Sequence, residues 1–337
     1  MKIAFFGLEK SEQVIFSESF KGMDISFFEE KLAENNTEKV KEADIICTFV
    51  DSAINKNIID DLPNLKFIST RSTGFNHIDC EYAKMRGIKV SNVPAYGSHT
   101  VAEFAFGLIL NLSRKIMKSN RYIRESSDFN YFLEMEGFDL RGKTLGVIGT
   151  GKIGKNVVKI AKGFEMNIIA YDLYPDPVLA KENNFEYKSL AEVLTQSDIL
   201  TLHIPYNKEN RYLINKENIA LMKKGVYIIN TARGELIDTE ALIWGLKEGI
   251  IAGAGLDVLE GEKELKEEIE ILLAPSSSER MEDYKTLLKD RLLMDMPNVI
   301  ITPHIAFYAR EAVAEILKVT VLNIRGFLVG SYLNLVN

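Results

Sequence analysis

His304 stands in Ile301-Thr-Pro-His304, directly after an apolar run, and it is one of only four histidines in the chain. A histidine titrates near neutrality and can move a proton to or from a substrate oxygen. Glu262 ends the segment Gly255-Leu-Asp-Val-Leu-Glu-Gly-Glu262. Hydrogen-bonded to the far ring nitrogen, its carboxylate would fix the tautomer and favour the imidazolium. Arg233, in Asn230-Thr-Ala-Arg-Gly234, follows the apolar run Val226-Tyr-Ile-Ile229. A guanidinium there can grip a carboxylate in two parallel hydrogen bonds and polarise a neighbouring carbonyl. Taken singly, each has a plainer reading, as a surface arginine or a loop acid. Asp257 stands in the same segment as Glu262 and could accept a hydrogen bond from an amide. His203, in Leu202-His-Ile-Pro205, also ends an apolar run but lacks a nearby carboxylate, and reads as structural or cofactor-adjacent.

A second constellation is Leu145-Gly-Val-Ile-Gly-Thr-Gly-Lys-Ile-Gly154, a strand that runs into a glycine turn and a helix beginning near Ile153. Gly149 would allow the tight turn, Gly151 would admit a pyrophosphate to the backbone, and Gly154 would let helix and strand pack closely. Amides at the helix start would face the anion with a favourable dipole behind them. The next apolar run, Asn167-Ile-Ile-Ala-Tyr-Asp172, ends in an acid about 20 residues past the glycines, where a carboxylate accepts from both ribose hydroxyls and repels a 2′-phosphate. The expected cofactor is therefore NAD, not NADP.

Short apolar runs alternating with helix-compatible segments must position these groups. In the first part they are Lys2 to Phe6, Asp24 to Phe28, Ile45 to Val50, Leu65 to Thr70 and Ile88 to Ser91. In the second they are Thr144 to Ile148, Asn167 to Tyr171, Ile199 to His203, Val226 to Asn230, Gly253 to Leu256 and Val299 to Thr302. Such alternation predicts two parallel sheets covered by helices, the second the size of a full doubly wound domain. Arg71-Ser-Thr-Gly-Phe-Asn-His-Ile-Asp79 follows a strand in the first part. Its Thr73 and Gly74 amides could hold a carboxylate, or the loop is a plain turn capped by Asn76 and Asp79. From Val101 to about Lys118 the apolar residues are dense enough for a helix buried on most sides, capped by Ser98 or Thr100. Residues 120 to 143, with Phe129, Tyr131, Phe132 and Phe138, could form an arm on a partner chain. The mixed-charge stretch 263 to 297, with a Ser-rich turn at 276 to 278 before another amphipathic helix, reads as a surface excursion. The tail from Glu311 starts as a helix and should pack on the N-terminal domain.

Composition narrows the class. At 337 residues, two domains are expected, and 46% apolar with 26% charged residues is ordinary for a soluble globular protein. A net charge of −7 without a basic cluster argues against nucleic acid or an anionic membrane as partner, yet permits a small anion held by local arginines. No signal-peptide core or membrane-length apolar run occurs, so a cytoplasmic location is expected. Cys47 and Cys80 lie in no metal-like spacing and read as reduced thiols, with no metal site expected.

Taken together, Gly149-x-Gly151-x-x-Gly154, Asp172, Asn230-Thr-Ala-Arg233-Gly, Asp257 to Glu262 and Pro303-His304 resemble the D-isomer-specific 2-hydroxyacid dehydrogenase family over nearly the whole chain. Val93-Pro-Ala-Tyr96 and His304-Ile-Ala-Phe307-Tyr308 look like its D-lactate branch. The resemblance implies an α/β fold of two doubly wound parallel-sheet domains. A Rossmann NAD-binding domain, residues 99–304, would be inserted into a flavodoxin-like substrate domain, residues 1–98 and 305–337. It implies Arg233, Glu262 and His304 as the catalytic set. It implies NAD contacts from Gly149, Gly151, Lys152, Ile153, Gly154, Asp172, Ile204, Pro205, Asn210, Thr231, Ala232, Arg233 and Asp257. For a small 2-oxo or 2-hydroxy acid it implies Thr73 and Gly74 at the carboxylate with Arg233 and His304, and Tyr96 and Phe307 shaping the pocket. It also implies a homodimer that reduces pyruvate to D-lactate. Ser72-Thr73 is a departure, since lactate-type relatives often carry a larger apolar residue beside the glycine. A D-2-hydroxyisocaproate dehydrogenase and a glyoxylate/hydroxypyruvate reductase therefore stay open as alternatives. An NAD(H)-sensing, corepressor-like binding protein is the reading outside enzymes.

Overall fold

A computed structural model describes residues 1–266, 268 and 281–337. The chain divides into two compact units, Met1–Tyr96 with Tyr308–Asn337, and Gly97–Phe307. Both are built on wholly parallel sheets, as the apolar runs predict, because strands covered by helices on both faces need no polar alternation.

The first unit holds β1 (Lys2–Phe6), β2 (Asp24–Phe28), β3 (Ile45–Thr48), β4 (Phe67–Thr70) and β5 (Lys89–Ser91) in the order β2-β1-β3-β4-β5. That is the flavodoxin-like winding, whose order reverses between β1 and β3. One face of this sheet buries Phe6, Ile46 and Ile68; the other buries Phe5, Ile45 and Phe67 against Leu317, Val321 and Ile324 of the Arg310–Leu328 helix. Full burial of such side chains contributes about 1.5–3 kcal/mol each. Beyond the helix, Leu335 bridges Ser91, so the tail is tied to the edge strand of its own unit.

The second unit holds β6 (Thr144–Ile148), β7 (Asn167–Tyr171), β8 (Glu186–Tyr187), β9 (Ile199–Leu202), β10 (Val226–Asn230), β11 (Ile251–Leu256) and β12 (Val299–Ile301). Their order, β12-β11-β10-β9-β6-β7-β8, reverses between β6 and β9, and the glycine turn follows β6 at that switch point. The sequence predicts six strands here. The seventh, β8, is two residues long with an exposed Glu186, too short to leave an apolar run.

Three local expectations are corrected. The apolar helix spans Ser98–Arg114 and does not continue to Lys118: Lys115 adopts a left-handed φ of +55°, and a second helix, Ile116–Ser126, follows. The Ser113 carbonyl, which a continuing helix would offer to Met117, accepts the Phe138 amide instead at 2.8 Å. Neither Ser98 nor Thr100 caps the first helix; its start is held by Val101 N–H donating to the Gly97 carbonyl at 2.8 Å. The 263 to 297 stretch is not only a solvated excursion, since its Met281–Asp295 helix buries Leu287, Asp290 and Leu293. The Ser-rich turn at 276 to 278 lies outside the described residues.

Candidate active site

Strands β10, β11 and β12 are neighbours and parallel, so their carboxyl ends open on one edge of the sheet. Arg233 follows β10, Asp257 follows β11 and His304 follows β12. The His304 Nδ1 lies 2.9 Å from Glu262 Oε2, and the Leu259 amide donates to Glu262 Oε1 at 3.2 Å. Burial, the largest single influence on Glu262, favours its neutral form. The hydrogen bond and charge of His304, the Leu259 amide and the Lys266 charge together outweigh it and hold the carboxyl below the usual glutamate range.

His304 sits in the left-handed region at φ +56°, a conformation that costs a non-glycine residue about 1–2 kcal/mol. Asp257 offsets this. Fully buried, it accepts from the Thr302 hydroxyl at 2.5 Å and the Ile305 amide at 3.0 Å through Oδ1, and from the Ala306 amide at 2.8 Å through Oδ2. Its own carbonyl accepts the His304 amide at 2.9 Å. The Asp257 carboxylate thus shapes the turn that carries the imidazole, a duty in addition to the amide contact expected from sequence. Burial raises its pKa, opposed by those three hydrogen bonds and the His304 charge.

Arg233 is half-buried, and its Nη1 donates to the Ala232 carbonyl at 2.6 Å, which pins one arm of the guanidinium. Asn230 fastens the turn at both ends: its Nδ2 donates to the Arg233 carbonyl at 2.8 Å and its Oδ1 accepts the Ala232 amide at 3.0 Å. Gly234 then passes so close to the Glu262 loop that a Cβ would stand 2.1 Å from the Leu259 carbonyl carbon and 2.3 Å from the Glu260 amide nitrogen. Only glycine lets the two turns meet.

At the other side of the switch point, Gly149 has φ +92°, and a Cβ on it would stand 2.7 Å from the His203 carbonyl oxygen. A Cβ on Gly154 would stand 2.0 Å from the Gly149 carbonyl oxygen, whereas one on Gly151 would meet nothing within 4 Å. Two glycines are therefore needed for packing, and the third leaves open space in front of the Lys152–Gly163 helix, whose start has no side-chain cap. Asp172 Oδ2 accepts from the Thr150 amide at 2.6 Å and the Thr150 hydroxyl at 2.9 Å, and Oδ1 accepts from the Tyr174 amide at 2.8 Å. A family model for the D-isomer specific 2-hydroxyacid dehydrogenase, NAD binding domain, matches residues 106–306 of the chain.

The chain belongs to this family.

The chain is 40% identical to the aromatic 2-oxoacid reductase of Clostridium sporogenes, over 93% of its own length and 91% of that protein. It is 36% identical to the D-lactate dehydrogenase of Escherichia coli over 96% of each chain. Among solved structures, the D-lactate dehydrogenase from Aquifex aeolicus complexed with NAD and lactic acid has a TM-score of 0.84 at 36% identity. That likeness covers 98% of this chain and 96% of the other.

NAD is the cofactor of the chain, and its residues fit that group. The open space at Gly151, the uncapped helix start and the Asp172 acceptor suit a pyrophosphate and a ribose. Thr231 beside Arg233 also has a buried hydroxyl with no hydrogen-bond partner among the described residues, an atom left for a ligand to satisfy. His203 is buried beside the glycine turn with Nε2 2.8 Å from the Thr201 hydroxyl; burial pushes it down to about 3, so it stays neutral.

Other expected contacts are placed less tellingly. The Asn210 side chain is engaged within its own loop, Nδ2 donating to the Pro205 carbonyl and Oδ1 accepting the Asn207 amide, both at 2.8 Å. Ile204 touches the place where a Gly149 side chain would be, at 2.6 Å from its Cβ. Thr73 and Gly74 follow β4 in the first unit, with the Thr73 hydroxyl donating to the Val93 carbonyl at 2.8 Å and the Ser72 hydroxyl to the Gly74 carbonyl at 2.6 Å. Tyr96 belongs to the first unit, while Phe307 ends the second, next to Gly97. Sequence reasoning missed Thr150 as the link between glycine turn and Asp172, and Gly234 as the link between Arg233 and Glu262. A Thr between two motif glycines and a Gly after an arginine carry no signal of their own. Among the described residues, no helix is long and apolar enough to cross a membrane.

Proposed function

We propose that the protein is a D-lactate dehydrogenase that reduces pyruvate, with His304, Glu262 and Arg233 as its catalytic set. The observation that carries this reading is the His304–Glu262 hydrogen bond of 2.9 Å at the same sheet edge as the Arg233 turn. The 149–154 turn and Asp172 would hold the cofactor, which when bound would supply a hydride as NADH or take one up as NAD⁺. Arg233 binds the substrate carboxylate and polarises its carbonyl. With Nδ1 committed to Glu262, the His304 Nε2 is the atom left to give the carbonyl oxygen its proton, and Glu262 stabilises the imidazolium before transfer. In the reverse direction a neutral His304 takes that proton. A protein that only sensed NAD(H) would have no use for such a pair. We assign Thr73 and Gly74 to the substrate carboxylate, and Tyr96 and Phe307 to its side chain, on the family resemblance alone. Residues 1–98 and 305–337 would then form the substrate domain.

A second reading, a reductase of bulkier 2-oxo acids, is favoured by Ser72-Thr73 beside Gly74 and by the 40% identity to an aromatic 2-oxoacid reductase, higher than the 36% to a D-lactate dehydrogenase. NADH oxidation with pyruvate, glyoxylate, 2-oxoisocaproate and phenylpyruvate, scored by kcat/KM and with product chirality determined, separates the two. Pyruvate should lead and yield D-lactate; a lead for phenylpyruvate would replace the first reading by the second. We further propose a cytoplasmic homodimer, supported by the almost fully exposed Phe129 (89%), Tyr131 (93%) and Leu133 (82%) after the Ile116–Ser126 helix.

Asp172→Asn keeps the side chain's size but removes the charge that would exclude a 2′-phosphate. The Kd for NADH should rise about tenfold, the value of a charge-assisted hydrogen bond, and the preference over NADPH should narrow. Fluorescence titration with both nucleotides checks this, and unchanged affinities would remove Asp172 from the ribose site.

A further inference from the structure

Asp290 lies within the Met281–Asp295 helix and is 0% exposed. Its neighbours Lys289 and Arg291 reach outward to Glu240 and Glu268, so Asp290 alone of these three consecutive charges turns inward. Its Oδ2 accepts the Gly261 amide at 3.0 Å, and its Oδ1 is buried with no hydrogen-bond partner among the described residues. The approach is tight: a Cβ on Gly261 would stand 2.4 Å from Oδ2.

Gly261 is the residue before Glu262, and its carbonyl accepts the Leu265 amide at 2.9 Å in the first turn of the Glu262–Lys266 helix. On its other side, Glu260 is anchored by the Tyr212 hydroxyl, by Arg211 at 3.3 Å and by the Thr239 hydroxyl at 3.1 Å. Asp290 therefore grips the peptide between an anchored glutamate and the one that holds His304.

Among the described residues, a carboxylate in this place would have one donor and no counter-charge. Among the described residues, the loop before the Glu262–Lys266 helix presents Glu260, and that helix presents Glu262 and Glu264, all acids. The Thr239–Lys247 helix presents Glu240, which is engaged with Lys289, and β12 has no titratable residue. A neutral acid with one unpaired oxygen costs far less than an unpaired buried anion. Burial first, and then the three glutamates, push Asp290 up to about 7 against the Gly261 hydrogen bond.

We propose that Asp290 is a positioning residue for Glu262, acting as the neutral acid through the Gly261 peptide, and that its ionisation loosens the start of the Glu262–Lys266 helix. The inference rests on the proton-transfer role of the Glu262–His304 pair. It makes proton transfer depend on a group that touches neither substrate nor cofactor.

The test compares wild type, Asp290→Asn and Asp290→Leu in the complete NADH-dependent enzyme. Asn keeps an acceptor for Gly261 and cannot ionise; Leu removes the acceptor. In kcat/KM for pyruvate against pH, the alkaline limb of the wild type should fall with a slope steeper than −1. D290N should fall with a slope of −1, match the wild type near pH 6 and exceed it about tenfold at pH 9. D290L should lose kcat by about tenfold across the range with the KM for NADH unchanged.

Melting supplies a readout independent of activity. An acid whose pKa is raised by folding contributes stability that is full below its unfolded value, about 4, and is lost as pH rises through its folded value. The wild-type midpoint should therefore fall relative to that of D290N between about pH 4 and pH 7, by roughly 5 °C, and run parallel above. Superimposable D290N and wild-type profiles in both measurements overturn the proposal. A midpoint gap with unchanged rate profiles also overturns it, by leaving Asp290 a purely structural group. Glu262→Gln run in parallel tells the two failures apart. If it retains full activity, the proton-transfer reading fails and this inference with it; if it is impaired while D290N behaves as wild type, only the role of Asp290 falls.

Discussion

Exchanging His304 for Gln should lower kcat for pyruvate reduction by about 10²–10⁴ while leaving NADH affinity within about twofold. Glutamine can still donate a hydrogen bond toward Glu262, so the half-buried carboxylate keeps a partner where the 2.9 Å contact stood. It pays the same left-handed backbone cost at φ +56° as histidine, and Asp257 still binds the amides of Ile305 and Ala306 around it. What it lacks is a titratable proton. The glycine turn and Asp172 lie at the carboxyl ends of β6 and β7, away from β12 in the sheet order, which is why cofactor binding should survive. Steady-state kinetics with saturating NADH, together with quenching of protein fluorescence by NADH, measures both quantities. A variant with wild-type kcat would end the assignment of His304 as proton donor.

The second large effect is expected from Arg233→Lys. The charge remains, but the planar fork does not, and an ammonium cannot keep one arm on the Ala232 carbonyl while presenting a paired edge to a carboxylate. A charge-assisted hydrogen bond is worth about 1.5–3 kcal/mol, and carbonyl polarisation is lost with it. The kcat/KM for the 2-oxo acid should accordingly drop about 10²-fold or more, through a higher KM and a lower kcat together. Gly234 and the Asn230 side chain, which binds only the backbone of residues 232 and 233, are left in place by the substitution, so the melting temperature should move little. Wild-type values of both KM and kcat would mean that another group anchors the carboxylate.

Much of this fold is legible in the residues because parallel strands covered on both faces become unbroken apolar runs, and the groups at their carboxyl ends can be read off as the next residues along. Arg233, Asp257 and His304 were found that way. The break at Lys115 was not, because Arg114-Lys115-Ile116 contains neither glycine nor proline; the helix ends where Phe138, distant in sequence, takes the Ser113 carbonyl. Asp290 was hidden for a similar reason. Lys289-Asp290-Arg291 looks like a solvated helix face, and only packing against Gly261 turns its middle member inward. Local pattern shows where a strand stops, whereas partners drawn from separate segments appear only once the chain is folded.

The near-collision of Gly234 with the Leu259–Glu260 peptide means that the spacing between the Arg233 turn and the loop leading to Glu262 is set by main chain against main chain. Laboratory evolution would then meet a barrier at this glycine, where even a methyl group would prise the Arg233 turn from the Glu262 loop.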